Sequence, residues 1–428
     1  MQRIIDALEM EQGTVFDVLV VGGGLAGWRA AEAAASSGVS VALVANGAGN
    51  SPDIHALNVP VGPGDSVERY IDDTIRSGRG ACDPALVEVL CRGALALADE
   101  FPWDRNPDGS FGMLQPVGCS VPRCVSIGHH IGAWALAKIK RELDGKVEVF
   151  HGRVTTLRLE DGVFHAKWTG FRATGDSGAA RALSVRAEGG RRIAQALSAR
   201  VVVLATGGWC GKYVFSDNPP ELRGDGIKMA QALGAAVRDM DAVQYEPTVA
   251  LAPAFIRGIP VITTMLHEGA TFRNCDGKEF LPDKQANKDE LSRAIFAEIA
   301  AGHGVPDPRA GAKAQAGVWF DATGVDPSIL RSRYADTVRR YEAVGVDITR
   351  EPMLVAPAPH TSLGGVVIDP RCRVLRADSS PIPGLFAAGE ITGGVHGLNR
   401  IGGSAGTEVL VFGRIAGSEA AAYASEGR

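Results

Sequence analysis

The chain has 428 residues, of which 45% are hydrophobic and 22% charged, and its formal net charge is −5 at pH 7. This composition is typical of a globular enzyme of about two domains and excludes a disordered or fibrous protein. The negative charge argues against a nucleic-acid-binding surface, and no stretch has the ~20 apolar residues that cross a membrane. The seven cysteines are irregularly spaced, without a CxxC pair. We therefore expect reduced thiols, a cytoplasmic location and no metal site.

The first strong pattern is FDVLVVGGGLAGWRAAEAAASSGVSVALVANG, residues 16–47. An apolar run at 17–21 predicts a buried strand, and the alanine-rich stretch at 25–37 predicts a helix. A second apolar, β-branched run at 39–44 predicts another strand. Strand, glycine turn, helix and strand in this order indicate a dinucleotide-binding unit.

Three glycines of this stretch predict the binding of a dinucleotide. Gly22, Gly24 and Gly27 occupy the GxGxxG positions, where they permit a tight turn, close approach of a pyrophosphate and close packing of helix on strand. The N–H groups at the start of the helix favour phosphate binding. Asn46 follows the second strand, where an acidic residue usually holds a ribose, and is the candidate substitute.

The rest of the chain predicts further helices and strands. In chain order they are helices at 65–77 and 84–100, a hairpin at 147–168 with its turn at Asp161-Gly162, a buried parallel strand within 199–211 that ends in a double glycine, a helix within 224–235, a strand ending in a Gly-acid turn within 381–390, and a closing helix at 404–425.

These elements indicate an α/β fold in which helices accompany a parallel sheet with an added β-meander. Residues 241–350 differ, since they contain more proline and charge and fewer strand-like runs. We predict a Rossmann-like, dinucleotide-binding domain formed by residues 1–240 and 351–428. An α+β capping domain is inserted at 241–350.

Eight collinear segments resemble the flavoprotein family of fumarate reductases, succinate dehydrogenases and L-aspartate oxidases. They are VVGGGLAGWRAA, PRCVSIGHHIGAWALA, LATGGWCGKY, GDGIKMAQALGA, DAVQYEPT, GATFRNCDGKEF, HTSLGG and GLFAAGEITGGVHGLNRIGG. The resemblance implies FAD, and a site between FAD-binding and capping domains where hydride passes between a substrate carbon and flavin N5. Many members continue into a helical C-terminal domain, so it also implies a compact soluble version that ends at Arg428.

The resemblance places further cofactor residues in this sequence. They are Gly207 and Gly208 after a strand, Asp225 and Glu390 in flavin-contacting turns, and Gly403 and Ser404 at the helix start that faces the flavin pyrimidine. Asp225 has an alternative role as a helix N-cap, which is compatible with the first. His55 lies near the segment to which some relatives attach FAD, but SPDIHALNVP does not match that motif. Non-covalent FAD is therefore expected.

Two active-site residues of the family are matched. Arg400 falls on the arginine that grips the substrate carboxylate, and His360 on a substrate-binding histidine. A guanidinium holds a carboxylate bidentately and stays charged at every relevant pH. The alternatives are a structural ion pair of Arg400 with Glu390 or Glu408, and a buried histidine without function.

The other active-site positions depart from the family. Glu246 stands where a histidine is usual, and alignment puts Ile262 at the substrate-binding threonine. The same alignment puts Thr263 and Leu266 at the glutamate and arginine of the proton relay. A carboxylate at 246 would repel the second carboxylate of fumarate or succinate, unless it is neutralised.

Lys288 stands at the family's proton-transferring arginine. It could exchange a proton, or it could be an exposed residue at a helix start. His267 is a second candidate acid/base.

The resulting prediction is an FAD-dependent oxidoreductase acting on a CH–CH or CH–NH bond of a small carboxylate-containing substrate other than fumarate or succinate. Arg400 and His360 would bind the substrate, and Glu246 would hold an amine or hydroxyl. Two alternatives remain: an L-aspartate oxidase or fumarate reductase with a rearranged site, and a flavin-binding electron-transfer subunit that needs a redox partner subunit. The electron donor or acceptor is unidentified.

Overall fold

The structure is a computed structural model that describes residues 15–116, 118–128, 130–172, 194–261, 263–281, 288–308 and 315–426. Its contacts divide the chain into two compact units. The first unit comprises Met1–Trp209, Leu222–Ala242 and Leu363–Arg428, and the second comprises Cys210–Glu221 and Val243–Ser362.

The helices and strands follow one another along the chain. Up to residue 252 they are β1 (Val15–Val21), α1 (Leu25–Ala35), β2 (Val41–Ala45), β3 (Leu57–Asn58), α2 (Val67–Ser77), α3 (Pro84–Ala94), β4 (Cys124–Val125), α4 (Ile131–Glu142), β5 (Glu148–Glu160), β6 (Val163–Arg172), β7 (Ala194–Leu204), α5 (Asp225–Ala232), β8 (Val237–Arg238) and β9 (Val243–Ala252). They continue with β10 (Thr271–Arg273), α6 (Lys288–Glu298), β11 (Val305–Pro306), β12 (Ala316–Asp321), α7 (Pro327–Arg333), α8 (Ala335–Glu342), β13 (Met353–Ser362), β14 (Gly365–Val366), β15 (Arg373–Leu375), β16 (Pro381–Ala387) and α9 (Ser404–Glu426).

A seven-stranded sheet forms the centre of the first unit. Strand β1 lies between β2 and β7, and all three run parallel, with Val18 opposite both Val41 and Val201. Strands β5 and β16 extend this parallel core on its two sides. Because central parallel strands are buried on both faces, β1, β2 and β7 contain the continuous apolar runs from which they were predicted.

Strand β6 pairs antiparallel with both β5 and β7, so β5, β6 and β7 form a β-meander. Its first turn is Asp161-Gly162, as predicted, and both residues have positive φ, 49° and 79°. Two-residue hairpin turns of this type require positive φ at both positions. The predicted helix at 84–100 is shorter in the structure, because α3 ends at Ala94 and a 3₁₀ turn, Leu95–Ala98, follows.

The second unit has its own antiparallel sheet in the order β10-β12-β13-β9. Its core packs this sheet against helices and contains Phe272, Phe320, Leu330 and Tyr341. A mixed α+β arrangement is therefore observed here.

The unit boundaries differ from the predicted 240/241 and 350/351 in two segments, 210–221 and 351–362. Most of the second segment is β13, whose full-length partner in the sheet is β9. In the first segment, the Oγ of Ser216 donates to the Pro359 carbonyl at 2.9 Å. Both segments therefore belong to the second unit. Within the part of the chain that the structure describes, no helix combines the length and hydropathy of a membrane span.

Candidate functional site

Close backbone contacts require glycine at Gly22, in the turn after β1, and at Gly27, near the start of α1. Gly22 has φ +134°, and a Cβ there would lie 2.0 Å from the Ala205 carbonyl oxygen. A Cβ at Gly27 would lie 2.0 Å from the Gly22 carbonyl oxygen. Both distances are far inside van der Waals contact. The glycines thus permit the close passage of turn, helix and strand that the sequence pattern predicted.

The start of helix α1 is suited to a phosphate. Gly24 is the N-cap, with extended backbone and no side-chain cap, and no acidic residue occupies the first turn. The Leu25 N–H donates to the Oγ of Ser51 at 2.8 Å, which the sequence did not predict. The partial positive charge of a helix start attracts pyrophosphate oxygens, and the close approach of the backbone at this turn favours their binding.

The other predicted cofactor residues lie in turns of the same unit. Gly207 follows β7 with φ +73°, and the Gly208 carbonyl accepts from the N–H of Gly224 at 3.2 Å. Asn46 is exposed directly after β2, and Glu390 is half-buried after β16.

The alternative role of Asp225 as an N-cap is wrong. The N-cap of α5 is Gly224, in the left-handed conformation, and Asp225 is the first residue inside the helix. Its carboxylate pairs with Arg153 at 2.5 Å. The capping position is taken by Gly224 because its φ of +76° is one that glycine adopts readily.

Helix α9 begins against strand β3. Gly403 has φ +84°, and Ser404 is completely buried. The amide of Asn58 donates to the Ser404 Oγ at 2.9 Å and to the Gly402 carbonyl at 2.8 Å, and the Tyr70 hydroxyl lies 2.9 Å from the same Oγ. Asn58 and Tyr70, which the sequence did not single out, therefore fix the helix start predicted to face the flavin.

Arg400 is half-buried in the loop before α9, and its Nη1 donates to the Ile401 carbonyl at 3.0 Å. This loop is held by its neighbours: the Leu398 N–H donates to the Gly78 carbonyl at 3.1 Å, and the Ser77 Oγ to the Asn399 carbonyl at 3.0 Å. The loop that carries the guanidinium is thus fixed to the end of helix α2.

Glu408 was one of two alternative structural partners for Arg400. Its carboxylate is buried and bonds His396 Nε2 at 3.0 Å and the Thr392 hydroxyl at 3.4 Å. Both oxygens therefore have partners other than Arg400.

In the second unit, Glu246 is the centre of a polar cluster. Its side chain is only 5% exposed. One carboxylate oxygen accepts from the hydroxyls of Thr263 at 3.0 Å and Thr248 at 3.3 Å, and the other pairs with the ammonium of Lys288. Lys288 is the first residue of α6, and its side chain is 42% exposed. Lys288 thus begins a helix, as one of its two alternatives predicted, and its part in proton exchange stays a prediction.

The ionisation of Glu246 depends on these partners. Burial by itself raises the pKa of a carboxyl, but the charges of Lys288 and His360 and the hydrogen bonds outweigh it, so the pKa of Glu246 lies below its ordinary value of 4.5. Glu246 is therefore an anion whose charge Lys288 compensates.

His360 belongs to the same unit, two residues beyond Ala358, which lies opposite Glu246 in the β13–β9 ladder. Its Nδ1 lies 2.6 Å from a carboxylate oxygen of Asp217, whose side chain is 4% exposed. His360 is thus a histidine with a buried carboxylate partner. Asp217 was not predicted because 143 residues separate it from His360.

The remaining predicted positions have different surroundings. Thr263 contacts Glu246, whereas Leu266 is buried in the apolar core of the second unit. His267 is exposed on the same 3₁₀ turn, Thr263–Glu268. Ile262 lies outside the described residues.

Comparison with known proteins identifies the family of this chain. The family described as FAD binding domain matches residues 17–405. The chain belongs to this flavoprotein family. It is 30% identical to a fumarate reductase (CoM/CoB) subunit of Methanothermobacter marburgensis, over 95% of this chain and 72% of that protein. It is also 30% identical to the L-aspartate oxidase of Caulobacter vibrioides, over 96% of this chain and 77% of that protein.

A solved structure agrees with these relatives. The FrdA chain of E. coli quinol fumarate reductase, in a mutant form, superposes with a TM-score of 0.81 at 26% identity, over 97% of this chain and 71% of that chain. The chain is therefore an FAD-dependent oxidoreductase of the fumarate reductase, succinate dehydrogenase and L-aspartate oxidase family, and its cofactor is FAD. The flavoprotein's glycine turn at 22–27 and the start of α1, whose first turn has no acidic residue, fit the pyrophosphate of that cofactor.

Proposed function

We propose that this flavoprotein adds or removes hydrogen across a CH–CH or CH–NH bond of a small substrate that carries one carboxylate. The charge balance of the Glu246 cluster carries the proposal. The ammonium of Lys288 is paired with Glu246, and Nδ1 of His360 lies against the Asp217 carboxylate, so neither side chain brings an uncompensated positive charge. A second substrate carboxylate would gain little from this cluster.

In this proposal the first unit is a Rossmann-like FAD-binding domain and the second a capping domain. When bound, FAD exchanges a hydride with the substrate at N5. Arg400 binds the substrate carboxylate bidentately. The loop before α9, which is hydrogen-bonded to the end of α2, keeps its guanidinium in one place. His360, with its ring fixed by Asp217, contacts the reacting part of the substrate.

A second candidate is an L-aspartate oxidase or fumarate reductase with a rearranged site. One observation favours it: Lys288 compensates Glu246, which weakens the predicted repulsion of a dicarboxylate. The named relatives favour it as well. Turnover of aspartate or fumarate would establish this candidate over the first.

A third candidate is a flavin-binding chain that works with a redox partner. The Methanothermobacter relative favours it, because that protein is by its name one subunit of a fumarate reductase. A partner that supplies or accepts the electrons would co-purify with the chain. An isolated chain that turns over with a small-molecule donor or acceptor would contradict this candidate.

The substrate is tested by mixing the FAD-loaded protein anaerobically with a panel of amino acids, enoates and 2-hydroxy acids while the flavin absorbance is recorded. We expect bleaching by an acid with one carboxylate, or reoxidation of the reduced flavin by its unsaturated counterpart. Response only to aspartate, succinate or fumarate would contradict the proposal and support the second candidate. We also propose non-covalent FAD, which acid precipitation would release into the supernatant.

A further inference from the structure

The pair formed by His360 and Asp217 has the geometry of an acid–base dyad. The Nδ1–Oδ2 distance is 2.6 Å, and the other Asp217 oxygen accepts from the amide of Asn218 at 2.8 Å. The same amide donates to the His360 carbonyl at 2.8 Å. Ring, carboxylate and strand are thus fixed relative to one another, while the ring remains 29% exposed.

This arrangement decides what the second ring nitrogen can do. A carboxylate accepts hydrogen bonds, so Nδ1 carries a proton that it donates to Asp217. In the neutral imidazole, Nε2 is then without a proton and acts as an acceptor. A carboxylate on Nδ1 also stabilises the imidazolium that forms when Nε2 takes up a proton.

Lys288 is less suited to this role. Removal of its proton would leave the Glu246 carboxylate buried without a compensating cation, which is a strongly unfavourable state. His267, the other predicted acid/base, is exposed on the 3₁₀ turn.

We propose that the His360–Asp217 dyad, rather than Lys288, exchanges the proton that accompanies hydride transfer. In the oxidative direction Nε2 takes one proton from the substrate, and the hydride, with both electrons of the broken C–H bond, leaves for FAD. The substrate gains a C=C or C=N bond, and the reductive direction reverses each transfer. This inference rests on the proposed function and assigns its proton.

Within the described residues, three charged groups are linked to His360, either directly or through Glu246. Asp217 faces His360 from the segment before the second unit's sheet, Glu246 acts on it from β9, and Lys288 lies beyond Glu246 on α6. The direct partner of the ring is Asp217. Its substitution therefore tests the dyad.

The test is Asp217→Asn in the FAD-loaded full chain, with the substrate found by the panel. We expect kcat to fall at least about 10²-fold with KM little changed, and the acidic limb of kcat/KM against pH to move to lower pH. The matched control is Glu298→Gln, which alters the His303–Glu298 pair of the same unit, also joined through Nδ1 at 3.0 Å. We expect this control to keep wild-type kinetics.

A raised KM with unchanged kcat and unchanged pH profile in Asp217→Asn would overturn the inference, because His360 would then only bind the substrate.

A second readout needs no turnover. In the protein with isotope-labelled histidine, the His360 signal, identified by its loss in His360→Gln, should titrate at a different pH in Asp217→Asn than in wild type. An unchanged titration overturns the dyad. If no panel compound reacts, the proposed function fails, whereas this titration still tests the dyad.

Discussion

The cofactor turns of the first unit and the polar cluster of the second are built in different ways. Gly22, Gly27 and Gly403 act through the backbone, by positive φ or by close packing that a side chain would block. The cluster is instead made by side chains from five separate segments, at 217, 246, 263, 288 and 360. The glycine turns are therefore visible in local sequence patterns, whereas the polar cluster consists of residues that only the fold brings together.

The largest effect is expected from a substitution in the glycine turn of the first unit. Gly22→Ala places a Cβ 2.0 Å from the Ala205 oxygen at a φ of +134°, so we expect a loss of about 3 kcal/mol or more in stability and loss of bound FAD. The ratio of flavin absorbance to protein absorbance measures FAD, and thermal unfolding measures stability. The control is Gly324→Ala, where a Cβ meets nothing within 4 Å. Normal FAD content and stability in Gly22→Ala would show that the turn is not what binds the cofactor.

A smaller effect is expected in the side-chain cluster. Lys288→Met leaves the Glu246 carboxylate buried and uncompensated, which should destabilise the protein by about 2 kcal/mol, less than a fully buried pair because Lys288 is partly exposed. Glu246→Gln should cost less, because the lysine left behind can be solvated. Urea unfolding of both variants and of the double variant measures the difference. Equal losses in the two single variants would contradict the asymmetry of burial.

The pH dependence of stability reports the ionisation of the Glu246 carboxylate. The pKa of Glu246 is lowered in the folded state, so its contribution is fully present above its ordinary value of 4.5 and is lost as the pH falls through the lower, folded value. The difference in unfolding free energy between wild type and Glu246→Gln should therefore be constant near neutral pH and change below about pH 4.5. A difference that stays constant well below that pH would mean that the folded pKa of Glu246 is unshifted.

The smallest effect concerns thiols. Burial raises the pKa of Cys91, Cys119 and Cys124 of the first unit to about 12, whereas Cys275 of the second unit is exposed. Alkylation at mildly alkaline pH followed by mass spectrometry should modify Cys275 well before these three, since the thiolate is the reactive form. Rapid modification of Cys124, beside Gly403, would show that the helix start of the first unit opens readily.

The difference between the two regions also explains what the sequence could predict. Strand β1, the glycine turn and α1 follow from local periodicity, and the Asp161-Gly162 hairpin from turn chemistry. The partners Asp217, Ser51 and Asn58 have no local signal, because each acquires its role from a residue distant in the chain. The compact unit extends beyond the predicted 350/351 boundary for the same reason, since β13, near its C-terminal end, pairs with β9, near its start.

Arg400, as the residue that binds the substrate carboxylate, is central to the proposed function. The direct measurement is the anaerobic rate of flavin reduction or reoxidation by the panel substrate in wild type, Arg400→Lys and Arg400→Ala, with the FAD content of each recorded. We predict normal FAD content in all three, a fall in kcat/KM of about 10²-fold or more in Arg400→Ala and an intermediate loss in Arg400→Lys, because lysine cannot bind a carboxylate bidentately. Full activity in Arg400→Ala would contradict the account.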